Sequence, residues 1–481
     1  MLTDFIISRI RAELPFEPNA EKEGLLQALG AFIVSRDARK AFILRGYAGT
    51  GKTSVMSALV RALEGLKQPC VLLAPTGRAA KVLSRYSHAP AYTIHKYIYR
   101  QSRGSTPTYP FGDGREVFSL SDNLHRNTLF IVDEASMLSG QRDNPTFGSG
   151  CLLDDLVRYV YSGAGCSLLL VGDDAQLPPV GSSSSPALDA DWMAYNYQLP
   201  ITHYQLSEVA RQALDSGVLA EATRLRERIQ TADADRLQRT DFFSIQPNGK
   251  DIIQLKGEEV VERLEASWRE VGAEETLIIA RSNRMTNLYN QGVRARVLWK
   301  EDELSNGDRV MVVKNNYFWA QEYDDLEFIA NGDMFEVQRL YNHHELYGFH
   351  FATASLKSVD YEWEIEALVW LETLTTDSPD AHYTMQKELF ARIAEDYPEI
   401  RNKKDLVKKI YDSPYYNALQ IRFAYCVTCH KAQGGQWKHV YIDKSLTNEG
   451  VNELTKEEKR DFLRWIYTAV TRATEKIFVL R

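Results

Sequence analysis

Three short segments of this 481-residue chain carry residue types that could do chemistry together. The first, Gly46-Tyr47-Ala48-Gly49-Thr50-Gly51-Lys52-Thr53, has the spacing G-x-x-x-x-G-K-[ST]. Glycines so spaced let backbone N–H groups wrap a phosphate, a helix starting there adds partial positive charge, and the lysine reaches the β and γ oxygens. Gly46, Gly49, Thr50, Gly51 and Lys52 are therefore candidate nucleotide ligands, and Thr53 is the hydroxyl for Mg²⁺. The second segment, Asp133-Glu134, ends the apolar run Leu129-Phe130-Ile131-Val132. Asp133 is the candidate Mg²⁺ ligand and Glu134 the base that activates water. The third, Val171-Gly172-Asp173-Asp174-Ala175-Gln176-Leu177-Pro178-Pro179, puts the uncharged amide of Gln176 where it could touch both a γ-phosphate and the attacking water. The chemistry implied is hydrolysis of a nucleoside triphosphate.

These residues need strands that end at a common edge. The apolar run Ala41 to Leu44 stops at Gly46, and Val55, Met56, Leu59, Val60, Leu63 and Leu66 follow at helical spacing, which predicts strand, loop, helix. Val71 to Ala74, Thr128 to Val132 and Ser167 to Val171 are further strand candidates, so the first 200 residues read as a parallel α/β domain. Thr276 to Ala280, Val440 to Ile442 and Ile477 to Leu480 repeat the rhythm and predict a second. Two segments interrupt it. Lys96 to His125, with Tyr97, Tyr99, Tyr109 and Phe111 around Gly112-Asp113-Gly114, reads as a small β-rich insertion. Asn306 to Asn417 opens with strands at Arg309 to Val313 and Met334 to Val337, then becomes one long helical stretch from Thr384 to Tyr411.

Composition sets the frame. Hydrophobic residues at 44% and charged residues at 25% exclude wholesale disorder. Lys plus Arg number 57 against 65 Asp plus Glu, a balance of −8, so any nucleic-acid site is a local basic channel and not a basic surface. Cys70, Cys151, Cys166, Cys426 and Cys429 are too scattered for a disulfide framework, which predicts a reducing, cytoplasmic setting. The N-terminus has no basic region followed by an apolar run, so neither export nor a membrane span is expected. Cys426-Val427-Thr428-Cys429-His430 spells the haem-attachment pattern C-x-x-C-H, but that chemistry needs export, and a Zn²⁺ site lacks a second ligand pair.

In order along the chain, the phosphate loop, Asp133-Glu134-Ala135-Ser136 and Gly172-Asp173-Asp174-Ala175-Gln176-Leu177-Pro178-Pro179-Val180 resemble the motifs of superfamily 1 helicases. The Pro-Pro-Val ending is similar to the 5′-to-3′ branch, the RecD- and Dda-like enzymes. Ala74-Pro75-Thr76-Gly77-Arg78-Ala79-Ala80 and Thr93-Ile94-His95-Lys96 resemble that branch's first-domain nucleic-acid motifs. Leu206 to Gln212 resembles the segment supplying an arginine finger, here Arg211. Ala280-Arg281-Ser282-Asn283, Thr428 to Gly434 and Tyr467 to Ala473, with Arg472, match the remaining motifs, and the likeness spans about residues 20 to 481.

The resemblance implies an α/β chain of two RecA-like parallel-sheet P-loop domains, each with an inserted, smaller β-rich subdomain. Domain 1A would be 1–200, with a pin at 96–125. Domain 2A would be 201–305 and 418–481, and insertion 2B, an SH3-like barrel with a helical segment, 306–417. Phe328 to Asp333 resembles a turn of that barrel, and the pin aromatics are candidates to stack a base. Arg211 and Arg472 would stabilise γ-phosphate charge beside Gln176 and Gly434. Pro75, Thr76, Thr93, His95, Asn283, Thr428, His430 and Lys431 would hold a strand through its backbone.

The implied activity is ATP- and Mg²⁺-dependent DNA unwinding with 5′-to-3′ translocation by a monomer. Its partners would be single-stranded DNA, tailed or forked duplex, and recombination, replication or repair proteins. An RNA-directed helicase, or a RecD-type ATPase subunit of a larger nuclease complex, shares nearly all these motifs. No nuclease constellation of carboxylates with a lysine is present in the sequence. Three positions depart from the family pattern: Lys22 stands where a glutamine commonly reads adenine, Gly435-Gln436-Trp437 replaces a small-acidic-aromatic run, and Cys429 replaces an aliphatic residue. Arg401, Lys403, Lys404, Lys408 and Lys409 read as a solvated helix face in preference to a phosphate grip.

Overall fold

The computed structural model describes residues 2–37, 39–101, 118–142, 147–209, 216–231, 245–323, 326, 328–376, 378–443 and 454–480. Its first sheet has six parallel strands in the order Ala91–Thr93, Cys70–Ala74, Leu129–Val132, Ser167–Gly172, Ala41–Gly46, Ile201–Leu206. The four inner strands are apolar on both faces because helices cover both. Phe42, Leu44, Leu72, Ile131 and Leu169 pack on one side with Leu26, Leu29, Val55 and Leu59. Their alternates Ile43, Leu73, Phe130, Val132 and Leu168 pack on the other with Leu153, Leu156 and Val160. The edge strand Ile201–Leu206 pairs with Ala41–Gly46, so the first sheet runs past residue 200, the boundary expected from sequence.

The second sheet is also parallel, in the order Cys426–Thr428, Thr276–Ala280, Trp437–Ile442, Ala473–Leu480, Ile252–Leu255. The α/β class with two parallel sheets is as the motifs implied. Between the strands of this domain lies a closed five-stranded barrel of Arg309–Val312, Met334–Leu346, Phe349–Ser358, Glu364–Trp370 and Leu419–Phe423. The last strand closes it by pairing with the first, so the barrel extends past residue 417. The helical stretch expected over 384–411 is two helices, Pro379–Glu395 and Lys403–Tyr411. Pro398 stands between them, and it has no backbone N–H to continue a helical ladder. Arg401, Lys403, Lys408 and Lys409 are exposed.

In the first-domain insertion, Tyr99–Gln101 pairs antiparallel with Phe118–Leu120. Tyr109, Phe111 and the Gly112-Asp113-Gly114 turn lie outside the described residues. Phe118 and Phe147 at its base pack against Tyr317 and Phe328 of the barrel, with ring centroids 4.8 to 6.2 Å apart. No helix among the described residues is long and apolar enough to cross a membrane.

Candidate functional site

The strands Ala41–Gly46, Leu129–Val132 and Ser167–Gly172 are neighbours and end together. Parallel pairing therefore brings the phosphate loop, Asp133-Glu134 and Asp173 to one edge, where ligands bind in open α/β sheets. Gly49 (φ +75°) and Gly51 (φ +87°) hold left-handed conformations that only glycine adopts readily. Gly51 is the N-cap of the helix Lys52–Gly65, so the helix starts where the loop ends. A side chain at Gly46 would stand 2.9 Å from both Lys52 Cγ and Thr50 Oγ1. Lys52 Nζ donates to the carbonyls of Gly46 and Tyr47, folded over the loop it would cross to reach phosphate oxygens. Thr50 is buried and its hydroxyl donates to Tyr47 O at 2.8 Å, whereas Thr53 is exposed.

The carboxylates differ in setting. Asp133 accepts from Tyr86 Oη and, at 2.9 Å, from the Glu134 N–H. Glu134 has φ +53°, unusual for a residue with a side chain, a local strain of the kind that clusters at functional sites. Burial pushes its carboxyl above the usual range; Asp133 and Asp173 add to this, while Arg472 and Lys52 oppose it. A carboxylate made more basic in this way is suited to take a proton from water. Asp173 is also pushed up by burial, held back by Lys52 and by the Tyr467 hydroxyl. Gln176 is 6% exposed, and among the described residues nothing donates to its Oε1. The glycine cradle, the Lys52 ammonium folded over it and this orphaned amide oxygen fit a Mg²⁺ triphosphate, whose metal Thr53 and Asp133 could hold. When bound, Mg²⁺ neutralises phosphate charge.

The second domain closes the site. Tyr467 Oη donates to Asp173 Oδ2 at 2.6 Å and accepts from the Ala48 N–H of the phosphate loop at 3.0 Å. Leu177 N donates to Thr468 Oγ1 at 2.9 Å, and Gln433 Nε2 to Leu177 O at 2.9 Å. Arg472, 3% exposed, donates to Thr468 O and Gly435 O, and its Nη1 stands 3.8 Å from Glu134 Oε1. Arg211 lies outside the described residues. Gly434 (φ +76°) touches the first domain: a Cβ there would lie 2.7 Å from Ala79 Cβ and 3.2 Å from Thr76 Oγ1. Sequence reading passed over Tyr467 and Asp173 as a pair. Their contact spans 294 residues, and nothing local in either segment signals it.

The strand-holding candidates lie at the same sheet edges. Pro75 and Thr76 follow the strand Cys70–Ala74, and Thr93 pairs in register with Ala74. Thr76 and Thr93 hydroxyls cap helices, accepting from Ala79 N and Lys96 N at 3.2 Å each. In the second domain Thr428 pairs in register with Ala280, three residues before Asn283, which opens the helix Asn283–Arg296. His430 is exposed. Lys431 is exposed, and its Nζ donates to Asn331 Oδ1 of the barrel at 2.6 Å. Beside it, burial pushes Asp333 up to about 7, opposed by the Ala330 N–H, Lys431 and Lys96. His95 packs edge-on against Phe147 at 4.9 Å, and burial lowers its imidazole to about 4, so it is neutral at pH 7. Cys426 and Cys429 are buried thiols pushed upward by desolvation, which keeps them protonated.

The departure at Gly435-Gln436-Trp437 has a structural counterpart. The Arg78 guanidinium lies 4.3 Å over the Trp437 ring and 3.6 Å from Asp360 of the barrel, joining three parts of the molecule.

Comparison with known proteins agrees with this layout. Residues 26–247 match the family model described as AAA domain, and 423–480 that of the UvrD-like helicase C-terminal domain. The uncharacterized protein R530 of Acanthamoeba polyphaga mimivirus is 24% identical, over 92% of this chain and 96% of that protein. The ATP-dependent DNA helicase Pif1 of Psychrobacter sp. is 24% identical, over 85% of this chain and 62% of that one. The ATP-dependent RecD2 DNA helicase of Deinococcus radiodurans is 26% identical, over 62% and 37%. The chain thus spans less than two thirds of the length of either helicase.

Proposed function

We propose that the chain, whose residues match the AAA-domain and UvrD-like helicase C-terminal models, is a superfamily 1 helicase of the Pif1- and RecD-like branch and an ATP-driven DNA helicase. It hydrolyses ATP with Mg²⁺, moves 5′-to-3′ on single-stranded DNA as a monomer in the cytoplasm, and opens tailed or forked duplex. One observation carries the reading: Arg472 and Tyr467 of the second domain meet Glu134 and Asp173 of the first across the cleft. Catalytic groups divided in this way tie hydrolysis to closure, and closure moves Thr428, His430 and Lys431 relative to Thr76 and Thr93. Arg211 is assigned the second arginine role. A grip of this kind holds phosphates without reading sequence, and the base of the pin braced by Tyr317 and Phe328 supports its use as a wedge.

The test is steady-state ATP hydrolysis with no nucleic acid, single-stranded DNA or single-stranded RNA, beside Lys52→Ala. DNA-specific stimulation that the variant lacks is expected. RNA preference would move the substrate, and no stimulation by either would refute the motor. On tailed substrates, a 5′-tailed duplex is unwound and a 3′-tailed one is not; the reverse overturns the polarity.

A further inference from the structure

Tyr86 is the penultimate residue of the helix Gly77–Ser87, and it reaches both halves of the expected metal site. Its hydroxyl donates to Asp133 Oδ2, while the Glu134 N–H donates to Asp133 Oδ1 at 2.9 Å. With one donor on each oxygen the plane of the carboxylate is fixed, and each oxygen keeps a lone pair for a further partner. At its backbone Tyr86 is tied elsewhere: Ser57 Oγ donates to Tyr86 O at 2.7 Å. Ser57 is 6% exposed and lies one helical turn after Thr53 on the helix Lys52–Gly65. Arg61 secures Ser57 in turn, donating to its Oγ at 3.0 Å and to Glu13 O and Oε2 at 2.7 and 3.0 Å. One residue thus spans from the helix of Thr53 to the carboxylate of Asp133.

The span matters because the sheet does not join the two. Thr53 follows the strand Ala41–Gly46 and Asp133 the strand Leu129–Val132, with Ser167–Gly172 between them, so their strands lie two spacings apart, about 9.5 Å. Mg²⁺ demands near-ideal octahedral geometry, so a misplaced ligand binds it poorly. We propose that Tyr86 is a positioning residue of the metal site, setting the orientation of Asp133 and its distance from Thr53 before Mg²⁺ arrives. Asp173 is held by a similar pair, the Ala175 N–H at 3.0 Å and the Tyr467 hydroxyl at 2.6 Å, but Tyr467 belongs to the second domain and leaves with it when the cleft opens. Tyr86 and Asp133 share the first domain, so this ligand stays oriented whether the cleft is open or closed. Removing an outer partner of a metal ligand costs about 10- to 100-fold in metal affinity. The inference rests on the triphosphatase reading above, and deepens it.

The experiment compares the wild type with Tyr86→Phe, which removes the hydroxyl and keeps the ring against the apolar cluster that contains Val55, Leu72 and Ile131. Mn²⁺, a paramagnetic stand-in for Mg²⁺, is titrated into the chain with saturating ADP and no DNA, and free Mn²⁺ is followed by electron paramagnetic resonance. Expected is a Kd about tenfold or more higher in the variant. In steady-state hydrolysis the Mg²⁺ concentration for half-maximal rate should rise by a similar factor, while kcat at saturating Mg²⁺ stays within about threefold of wild type. Mn²⁺ affinity within about twofold of wild type, or a kcat that saturating Mg²⁺ does not restore, would overturn the positioning role. A wild type that binds Mn²⁺ with ADP about tenfold more tightly than the variant, yet shows no DNA-stimulated hydrolysis, would leave the metal inference standing and remove the motor.

Discussion

Glu134→Gln separates binding from chemistry at this site. The substitution keeps size and an acceptor oxygen but removes the charge that Arg472 approaches at 3.8 Å. Burial and the neighbouring Asp133 and Asp173 make the native carboxylate more basic than a solvated one. Its loss as a general base is worth about 10²- to 10⁴-fold in turnover, or about 2.7 to 5.4 kcal/mol on the barrier. Binding moves the other way. At about 6 Å and an effective dielectric near 20, a unit charge opposes another by about 2.8 kcal/mol before screening, so removing one carboxylate from a three-carboxylate pocket favours a triphosphate. We expect nucleotide affinity within about tenfold of wild type, on the tighter side, with kcat reduced at least about 100-fold. Equilibrium binding of a fluorescent nucleotide and single-turnover hydrolysis measure the two quantities apart. Turnover within tenfold of wild type would refute the assignment of Glu134, and loss of binding in step with turnover would make it structural.

Three further outcomes follow from the interface. Gly434→Ala places a methyl 2.7 Å from Ala79 at φ +76°, so it should hold the cleft open and cut kcat/KM for ATP by about tenfold or more; a closed, active variant would refute the contact. Tyr467→Phe removes the 2.6 Å bond to Asp173 and the acceptor for Ala48 N–H, about 2 to 4 kcal/mol of closed-state stabilisation, and should lower kcat/KM by about 30-fold or more, read by steady-state kinetics. Activity within twofold of wild type would sink that role. The pH dependence of strand binding is set by Asp333, raised to about 7 beside Lys431. Asp333 is neutral below pH 7, and any stability from its raised value is lost as pH rises through 7, where its new negative charge repels a phosphate backbone. Single-stranded DNA affinity, followed by fluorescence anisotropy, should fall between about pH 6 and about pH 8, and Asp333→Asn should remove that fall.

The chemistry of the first domain was legible in the residues because its determinants are local. A strand, a glycine turn and a helix start occupy consecutive positions, and Gly49, Gly51, Lys52 and Thr53 have their geometry set within one loop. The apolar runs also named most of the parallel strands, since burial on both faces leaves no alternation to misread. Barrel strands were harder to see. Phe349–Ser358 and Glu364–Trp370 mix buried and exposed positions and gain their meaning from closure with Leu419–Phe423. Thr76 and Thr93 cap helices through N–H groups three residues on, a local arrangement, whereas only the tertiary structure decided that His95 packs against Phe147. Only it placed Tyr467 on Asp173, Arg472 beside Glu134 and Lys22 against Gly51. Those contacts join segments far apart in the chain, and a side chain's charge acts over a few ångströms of space whatever its distance in sequence.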